Sequence, residues 1–595
     1  MPAKIWQLMP KTEAAGKSNS NLPPVLAQLL HNRGLDSETD IRAFLSGRLE
    51  PDSVRVIGGQ FGRELYDPFL FQDMEKAVEM VINHIRAGNK ILVYGDYDAD
   101  GVTASVVLLE VLRTLRASAE IYLPDRVSEG YGLNRPAIAQ AVEQGFKLII
   151  TVDNGIRNRE EVEYAKSLGL DVIITDHHVF PEDRSDWPDC PVINPAHPED
   201  RYPWKYLAGV GVAFKLASAL ADRSKLEDVQ KAALLERALD LVALGTVADM
   251  VNILGENRAL VKAGLEAINR RRRLGLNELI RISKLSDDQA LEAWNIGWQL
   301  GPRLNAASRL GHANTAFSLL TAKDKAEAEK LAQDLDRSNR QRQEITEAIT
   351  AQVEAQIDTD KLPPIIIGLA ESGQNWNEGV IGLVAGRIAE RYYRPTLIIA
   401  RIAEEGAFVF KGSGRSIEGF NLIEAISEAS RYLDKYGGHF MACGFSLSGR
   451  ENLDGFRQEL ERIAAERLDE VALTPKLKLE AELPLSEVSL ELIEKISELG
   501  PFGQNNPVPV LASFDLPVLD IMVMGAENQH IKFRLGSSGN RTIWAVAFGG
   551  SARYQSLRSG DRIDIAYTLS INGFNGRREP QLKVVDIRLA NKEKL

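Results

Sequence analysis

The sequence predicts an α/β protein: two α/β lobes joined by a long helix and followed by a C-terminal β-barrel. Three observations carry that prediction. Between about Ile91 and Ile253, apolar runs such as "KILVYG", "AEIYLPD", "KLIITVDNG" and "DVIITDHH" alternate with helical patterns such as "NREEVEYAKSLG". Runs this rich in Ile and Val, without polar alternation, are strands buried on both faces, so the helices between them must cover a parallel, doubly wound sheet. The stretch from Asp324 to Ile357 has few apolar residues and no Gly or Pro, and reads as a connecting helix exposed over much of its length. After "GPFGQNNPVPVL", the short alternating runs "HIKFRL", "RTIWAVAFGG", "RIDIAYTLSI" and "QLKVVDIRL" are separated by Gly, Ser and Asn, as small-barrel strands are.

In chain order, residues 1–75 form an N-terminal segment, 76–323 the first lobe, 324–357 the connecting helix, 358–466 a second lobe opening with "LPPIIIGLA", and 467–595 the barrel. A chain of 595 residues exceeds what one hydrophobic core supports. The start "MPAKIWQLMPKTEAAG" has no apolar signal region, and no long run of apolar residues is free of charge. A cytoplasmic protein with no membrane partner is therefore expected, as a monomer. Cys190 and Cys443 are far apart and neither belongs to a Cys-x-x-Cys pair, which excludes a zinc ribbon or a disulfide framework. The formal net charge of -12 opposes generic polyanion binding, so any contact with phosphate must come from local basic patches.

Chemistry is concentrated where strands end. "GDYDADG" sets Asp96, Asp98 and Asp100 at every second position after an apolar run, and such crowded carboxylates repel unless a cation or proton intervenes. A calcium loop of the EF-hand type is excluded: the twelfth position from Asp96 is Val107, where Glu is required, and a strand precedes the motif. "TVDNGI" brings Asp153 and "ITDHHV" brings Asp176, His177 and His178, each at the carboxyl end of a strand, where open α/β sheets place ligands. Neighbouring histidines point in different directions, so one can ligate a metal while the other faces substrate. Asp249 in "LVALGTVADMVNI" reads equally as a helix cap, a core residue or a ligand. Asp98, Asp100, Asp153, His177 and Asp249 together offer hard oxygens and one nitrogen without thiolates, a set suited to Mn²⁺ or Mg²⁺. It exceeds the needs of one Mg²⁺ and suffices for two ions.

The order of these motifs resembles the DHH phosphoesterases. With "GPRLNAASRLGH", "NEGVIGLVAGRIAERYYRPT", "GSGRS", "GGHFMACGF" and "GPFGQNNPVPVL", the chain is similar to the RecJ-type exonucleases among them. The resemblance implies a metal-dependent exonuclease that degrades single-stranded DNA from the 5′ end to mononucleotides in repair and recombination. It implies that Asp98, Asp100, Asp153, His177 and Asp249 bind the metals and that His178 faces the scissile phosphate, with Asp96 as ligand, supporting residue or acid-base group. A single-stranded-DNA-binding protein and a helicase are the partners it implies. Ser308 departs from the Gly of the family motif and adds bulk beside Arg309.

Substrate contacts are expected from Arg303, Asn305 and Arg309 of the first lobe, and from Ser413 and Arg415 in "GSGRS", whose backbone N–H groups would make a nest for a terminal phosphate. Read alone, "GSGRS" is an ordinary hairpin turn. His439 is a further phosphate contact, in a segment that otherwise reads as a core strand. The barrel resembles an OB-fold: Lys532 and Arg534 share one face by period-two alternation and, with Phe533, Phe574, Arg577 and Arg578, mix charge with aromatic surface. Trp544 reads as barrel core, and the run Arg270–Arg273 as a solvated helix end. Two other readings compete. A DHH phosphodiesterase of cyclic dinucleotides or short oligonucleotides needs no barrel, and a non-catalytic DNA-binding scaffold predicts eroded ligands where every position is filled.

Overall fold

The computed structural model describes residues 4–12, 22–47, 49, 54–57, 63–286, 290–404, 407–536, 541–574 and 577–590. The first lobe is built on a five-stranded sheet of β1 (Lys90–Gly95), β2 (Ser118–Tyr122), β3 (Phe146–Val152), β4 (Asp171–Thr175) and β5 (Val192–Ile193), in the order β2-β1-β3-β4-β5. Every pairing is parallel. Chain order reverses at β1, which makes the crevice beyond the ends of β1 and β3 the natural ligand position. Helix α1 (Ala99–Thr114) is buried almost all round, as a helix without a polar face must be. It packs against α2 (Gly209–Arg223) and α3 (Asp228–Ala248), which complete a helical layer over the sheet.

A buried ion pair locks this layer. Lys215 of α2 and Glu256 are fully enclosed, and Glu256 also accepts from the Tyr202 hydroxyl and the Tyr66 backbone N–H. Lys215 Nζ donates to the Tyr66 carbonyl at 2.8 Å, while Phe71 stacks on Tyr202 with centroids 3.9 Å apart. The late part of the N-terminal segment is thereby tied to α2.

The run Arg270–Arg273 is only partly the solvated helix end that its sequence suggests. Arg270 and Arg272 are exposed, but Arg273 is 8% exposed, with Nε 2.8 Å from Asp240 and Nη1 2.9 Å from Glu110. Arg271 takes a left-handed φ of 53°, which turns the chain and lets Arg273 reach Asp240 of α3 and Glu110 of α1.

After α4 (Gly301–Leu310), α5 (Lys325–Glu354) connects the lobes. It is not a bare spacer: Ala328, Ala332, Leu335, Ile349 and Val353 bury one face, against α4 and against α6 (Glu378–Tyr392) of the second lobe. The second sheet contains β6 (Ile366–Leu369), β7 (Thr396–Glu404), β8 (Ala407–Arg415), β9 (Lys435–His439) and β10 (Ala442–Ser448), ordered β9-β10-β8-β7-β6. Only β6 and β7 pair in parallel.

The C-terminal strands β11 (Leu511–Met524), β12 (His530–Gly536), β13 (Thr542–Ala547), β14 (Arg562–Phe574) and β15 (Arg577–Leu589) close on themselves through a β11–β14 pairing. Phe533, Tyr567 and Leu582 fill the barrel. The early N-terminal segment joins it: Ile5–Leu8 pairs with Lys476–Leu479, and Val25, Leu26, Leu29 and Leu30 of the helix Pro24–His31 enter the same apolar cluster. Arg258 fastens this unit to the first lobe, donating to the carbonyls of Leu499 at 2.9 Å and Phe44 at 3.0 Å. Among the described residues no helix is long and apolar enough to cross a membrane.

Lys215→Met leaves Glu256 charged and unpaired in the core, and should cost about 3–5 kcal/mol. A shift of the denaturant midpoint of the first lobe reads this out; an unchanged midpoint would show that the pair does not hold the layer.

Candidate metal centre

The site begins where β1 stops. Gly101 brings the first turn of α1 against Asp96, since a Cβ there would lie 2.6 Å from the Asp96 backbone nitrogen. Asp98 caps α1, its Oδ1 accepting from the backbone N–H of Asp100 at 2.9 Å and of Gly101 at 3.1 Å. Asp100 accepts from Gly209 N at 2.7 Å and Val210 N at 2.9 Å. Its carboxylate thus sits on the positive end of α2.

Asp153 follows β3 in a left-handed conformation, φ 65°, which turns its side chain over the sheet edge. Room for it exists because residue 209 is glycine; a Cβ there would lie 2.5 Å from that of Asp153. Asp176, after β4, is saturated: Oδ1 accepts from His177 N at 2.7 Å, His178 N at 3.1 Å and His178 Nδ1 at 2.8 Å, and Oδ2 from Ile156 N at 3.0 Å. It is a holder of the histidine pair. Asp249 caps the C-terminus of α3.

These elements deliver three overlapping groups: Asp96, Asp98 and Asp153; Asp100, His177 and Asp249; Asp153, His177 and His178. Within each, one ligand atom per residue lies within 4.8 Å of the others. His177 Nε2 stands 3.1 Å from Asp153 Oδ1 and 3.6 Å from Asp249 Oδ2. Yet Asp96 Oδ1, Asp153 Oδ1 and His177 Nε2 are buried without a hydrogen-bond partner. Orphaned lone pairs converging on shared space are costly unless a cation satisfies them. The donor set fits hard divalent ions, and Asp153, common to two groups, is placed to serve both.

Electrostatics agree. Burial, then mutual repulsion, raises Asp96, Asp153 and Asp249 well above the ordinary carboxylate range and pushes Asp100 up to about 7. Burial, reinforced by the charge of His178, drops His177 to about 4, keeping it neutral as a ligand must be. Burial also opposes charge on His178, but the hydrogen bond and charge of Asp176 outweigh it and raise His178 above its usual value.

A basic cleft adjoins the acids. Arg309, on α4, donates to the Gly379 carbonyl at 2.8 Å while its Nε is buried without a partner. Burial, then the charges of Arg126, Arg342 and Arg415, pulls it down to about 9. Burial lowers Arg342 and Arg415 too. Ser413 and Arg415 lie at the end of β8, where Gly382 lets α6 approach; a Cβ there would stand 3.0 Å from Ser413 Oγ. The bulk of Ser308 is absorbed inside α4, its hydroxyl donating to the Asn305 carbonyl at 3.3 Å.

The remaining expected contacts are distributed. Asn305 Oδ1 accepts from Ala99 N at 2.7 Å, which fixes the start of α1. Arg303 is held by Asp336 of α5 at 3.0 Å. His439 lies on the exposed edge strand β9. Lys532 and Arg534 lie on β12 of the barrel. Trp544 is not barrel core: Ile543 and Ala545 point inward, so the strand period turns Trp544 outward, where the Lys532 ammonium sits 4.4 Å above its ring. The side chains of Phe574 and Arg577 lie outside the described residues. Sequence reasoning missed Arg126, Tyr131 and Arg342. Tyr131, whose hydroxyl is 3.0 Å from His178 Nδ1, and Arg126 occupy the loop after β2; that position at a strand's carboxyl end was the only signal available.

Comparison with known proteins agrees with this layout. Residues 90–246 match the DHH family N-terminal domain, 363–466 the DHHA1 domain and 479–586 the RecJ OB domain. The single-stranded-DNA-specific exonuclease RecJ of Bacillus subtilis is 38% identical over 95% of this chain and 68% of its own length. That of Salmonella typhimurium is 36% identical over 96% of each. The chain belongs to the RecJ family. Among solved structures, RecJ from Thermus thermophilus in complex with Mn²⁺ superposes with a TM-score of 0.79 at 28% identity, over 99% of this chain and 80% of that one. A RecJ family member thus carries the raised carboxylates and the neutral imidazole described above.

Because a cation must displace protons from these acids, Mn²⁺ affinity should climb as pH rises through about 7, roughly ten-fold per unit for each proton released. Calorimetry in two buffers of different ionisation enthalpy counts those protons; affinity flat between pH 6 and 8 would contradict the raised values.

Proposed function

We propose that the chain is a metal-dependent exonuclease that removes mononucleotides from the 5′ end of single-stranded DNA. The observation that carries this reading is the adjacency of two opposite devices: a buried acidic cluster with orphaned ligand atoms, and buried arginines that repel one another until an anion arrives. Mn²⁺ or Mg²⁺ ions held by Asp98, Asp100, Asp153, His177 and Asp249 would supply an activated water and neutralise charge on the scissile phosphate. Asp96 offers its free oxygen to the same group, as ligand or acid-base residue.

The protein's own part is positioning and proton handling. Arg126, Arg309, Arg415 and Ser413 suit a terminal phosphate, gripping it through charge-assisted hydrogen bonds. His178, whose charged form is favoured by the hydrogen bond and charge of Asp176, faces the phosphate to be cut, one nucleotide further on. Attack by water oxygen on phosphorus breaks the bond to O3′ of the terminal nucleotide, and a proton passes to that O3′. The mononucleotide leaves, and the strand keeps a new 5′ phosphate for the next round. The barrel, with Lys532, Arg534 and the outward Trp544, supports the unpaired strand. Its presence disfavours a phosphodiesterase of cyclic dinucleotides or short oligonucleotides, and the filled acidic positions disfavour a mere DNA-binding scaffold. A single-stranded-DNA-binding protein and a helicase are the partners this role calls for, and a cytoplasmic monomer suffices to perform it.

Asp153→Ala should abolish release of a 5′ label from single strands in Mn²⁺ while binding to the same strands persists in chelator; retained turnover would remove Asp153 from the ligand set. Arg415→Ala should erase the preference for 5′-phosphorylated over 5′-hydroxyl strands, lowering kcat/KM on the former by roughly 10- to 100-fold. Equal loss on both ends would place Arg415 elsewhere.

A further inference from the structure

Against the acidic cluster, with His177 in its wall, lies a cavity of about 550 Å³. None of Arg126, Arg309 and Arg415 is among the residues that line it. The cavity is bounded by His177 and by Val251, the latter two residues beyond Asp249. It is further lined by His197, Lys205, Tyr206, Asn252 and Asn505.

Its walls bear the marks of a ligand site. Tyr206 is 57% exposed, so its ring is open to a ligand. That ring is held firmly. Trp204 packs against it edge-on at 5.3 Å and is itself seated over Gly255, where a Cβ would stand 2.5 Å from the indole. Asn257 fixes the backbone by donating to the Tyr206 carbonyl. Asn252 Oδ1 is buried without a hydrogen-bond partner. His197 Nδ1 accepts from Glu199 N at 3.1 Å, so its Nε2 carries the proton and can donate. Lys205 adds an ammonium on the exposed rim, anchored to the Asp200 carbonyl at 2.9 Å with donors to spare.

The cavity also leads somewhere. Asn505 belongs to the segment that runs into β11 of the barrel, and this segment is pinned to the first lobe by Ile253 N donating to the Gln504 carbonyl at 2.9 Å. The wall is therefore shared between the lobe that carries the acids and the connection to the barrel.

We propose that this cavity is the subsite for the nucleotide on the 3′ side of the cut, its base stacked on Tyr206 and its backbone met by Lys205 and His197. The inference rests on the exonuclease reading above. A strand whose 5′ phosphate is held by the arginines and whose next phosphate lies at the metals would continue past His177 into this cavity, whose wall includes Asn505 of the connection to the barrel. Stacking on a fixed ring suits an enzyme that must accept any sequence, because every base has a π-face.

The test uses the full-length protein and 5′-phosphorylated single strands whose second nucleotide is either intact or abasic, with kcat/KM read from release of the first nucleotide. Removing the second base should cost the wild type roughly ten-fold. Tyr206→Ala should lose the same factor on intact strands and nothing more on abasic ones, whereas Tyr206→Phe should keep wild-type rates on both. Losses that multiply, a wild type indifferent to the missing base, or a Phe variant as impaired as Ala would each overturn the subsite while leaving the nuclease standing. Failure of the wild type to cut any strand would instead bring down the exonuclease reading, and the subsite with it.

Discussion

Mutual repulsion among buried carboxylates is the constraint on which the rest of this molecule depends. Five acids and two histidines converge from the ends of β1, β3 and β4 and from α3, and Asp96, Asp100 and Asp153 among them are buried where water screens them little. Burial, and after it their mutual repulsion, raises the aspartates, while burial and the charge of His178 lower His177. The fold tolerates the cluster because its neighbours are arranged around it. Helix α2 points its positive end at Asp100, Asp176 carries the imidazoles, and glycines at 101 and 209 clear the space.

The arginines mirror this strain with opposite sign. Arg309, Arg342 and Arg415 are buried close enough to depress one another or to be depressed by burial, and two of them keep an unpartnered Nε. Placing like charges together is unfavourable in the free protein and becomes favourable when an ion of opposite charge enters. Acids that want a dication and arginines that want an anion, set side by side, describe a site for a phosphodiester backbone. The arginines come from both lobes and from α5, so the lobes must stay in register. The buried face of α5 and its packing on α4 and α6 provide that register.

Several of these features could be read from the residues. The parallel sheet was legible because strands enclosed on both faces carry uninterrupted Ile and Val, and the acids were legible because they terminate those strands. Others could not. Nothing local distinguishes Arg273, which reaches Asp240 and Glu110 after the left-handed turn at Arg271, from the exposed arginines beside it. Trp544 in "TIWAVAF" looks like core until the pairing of β13 with β12 and β15 decides which face is outside. Arg126 and Arg342 lie in a polar loop and a polar helix, where an arginine is ordinary by itself.

What the sequence determined by itself is the chemistry and its local placement: which donors exist, that they are oxygen and imidazole without thiolate, and that they stand at the ends of buried strands. Those properties follow from side-chain type and from backbone period, which act over a few residues. Only the tertiary structure decided which donors share a centre, that Asn305 steadies α1, and that Ile5–Leu8 and the helix Pro24–His31 join the barrel unit from the other end of the chain. Those depend on contacts between segments far apart in the chain, whose energies come from burial and close approach and leave no periodic trace in it.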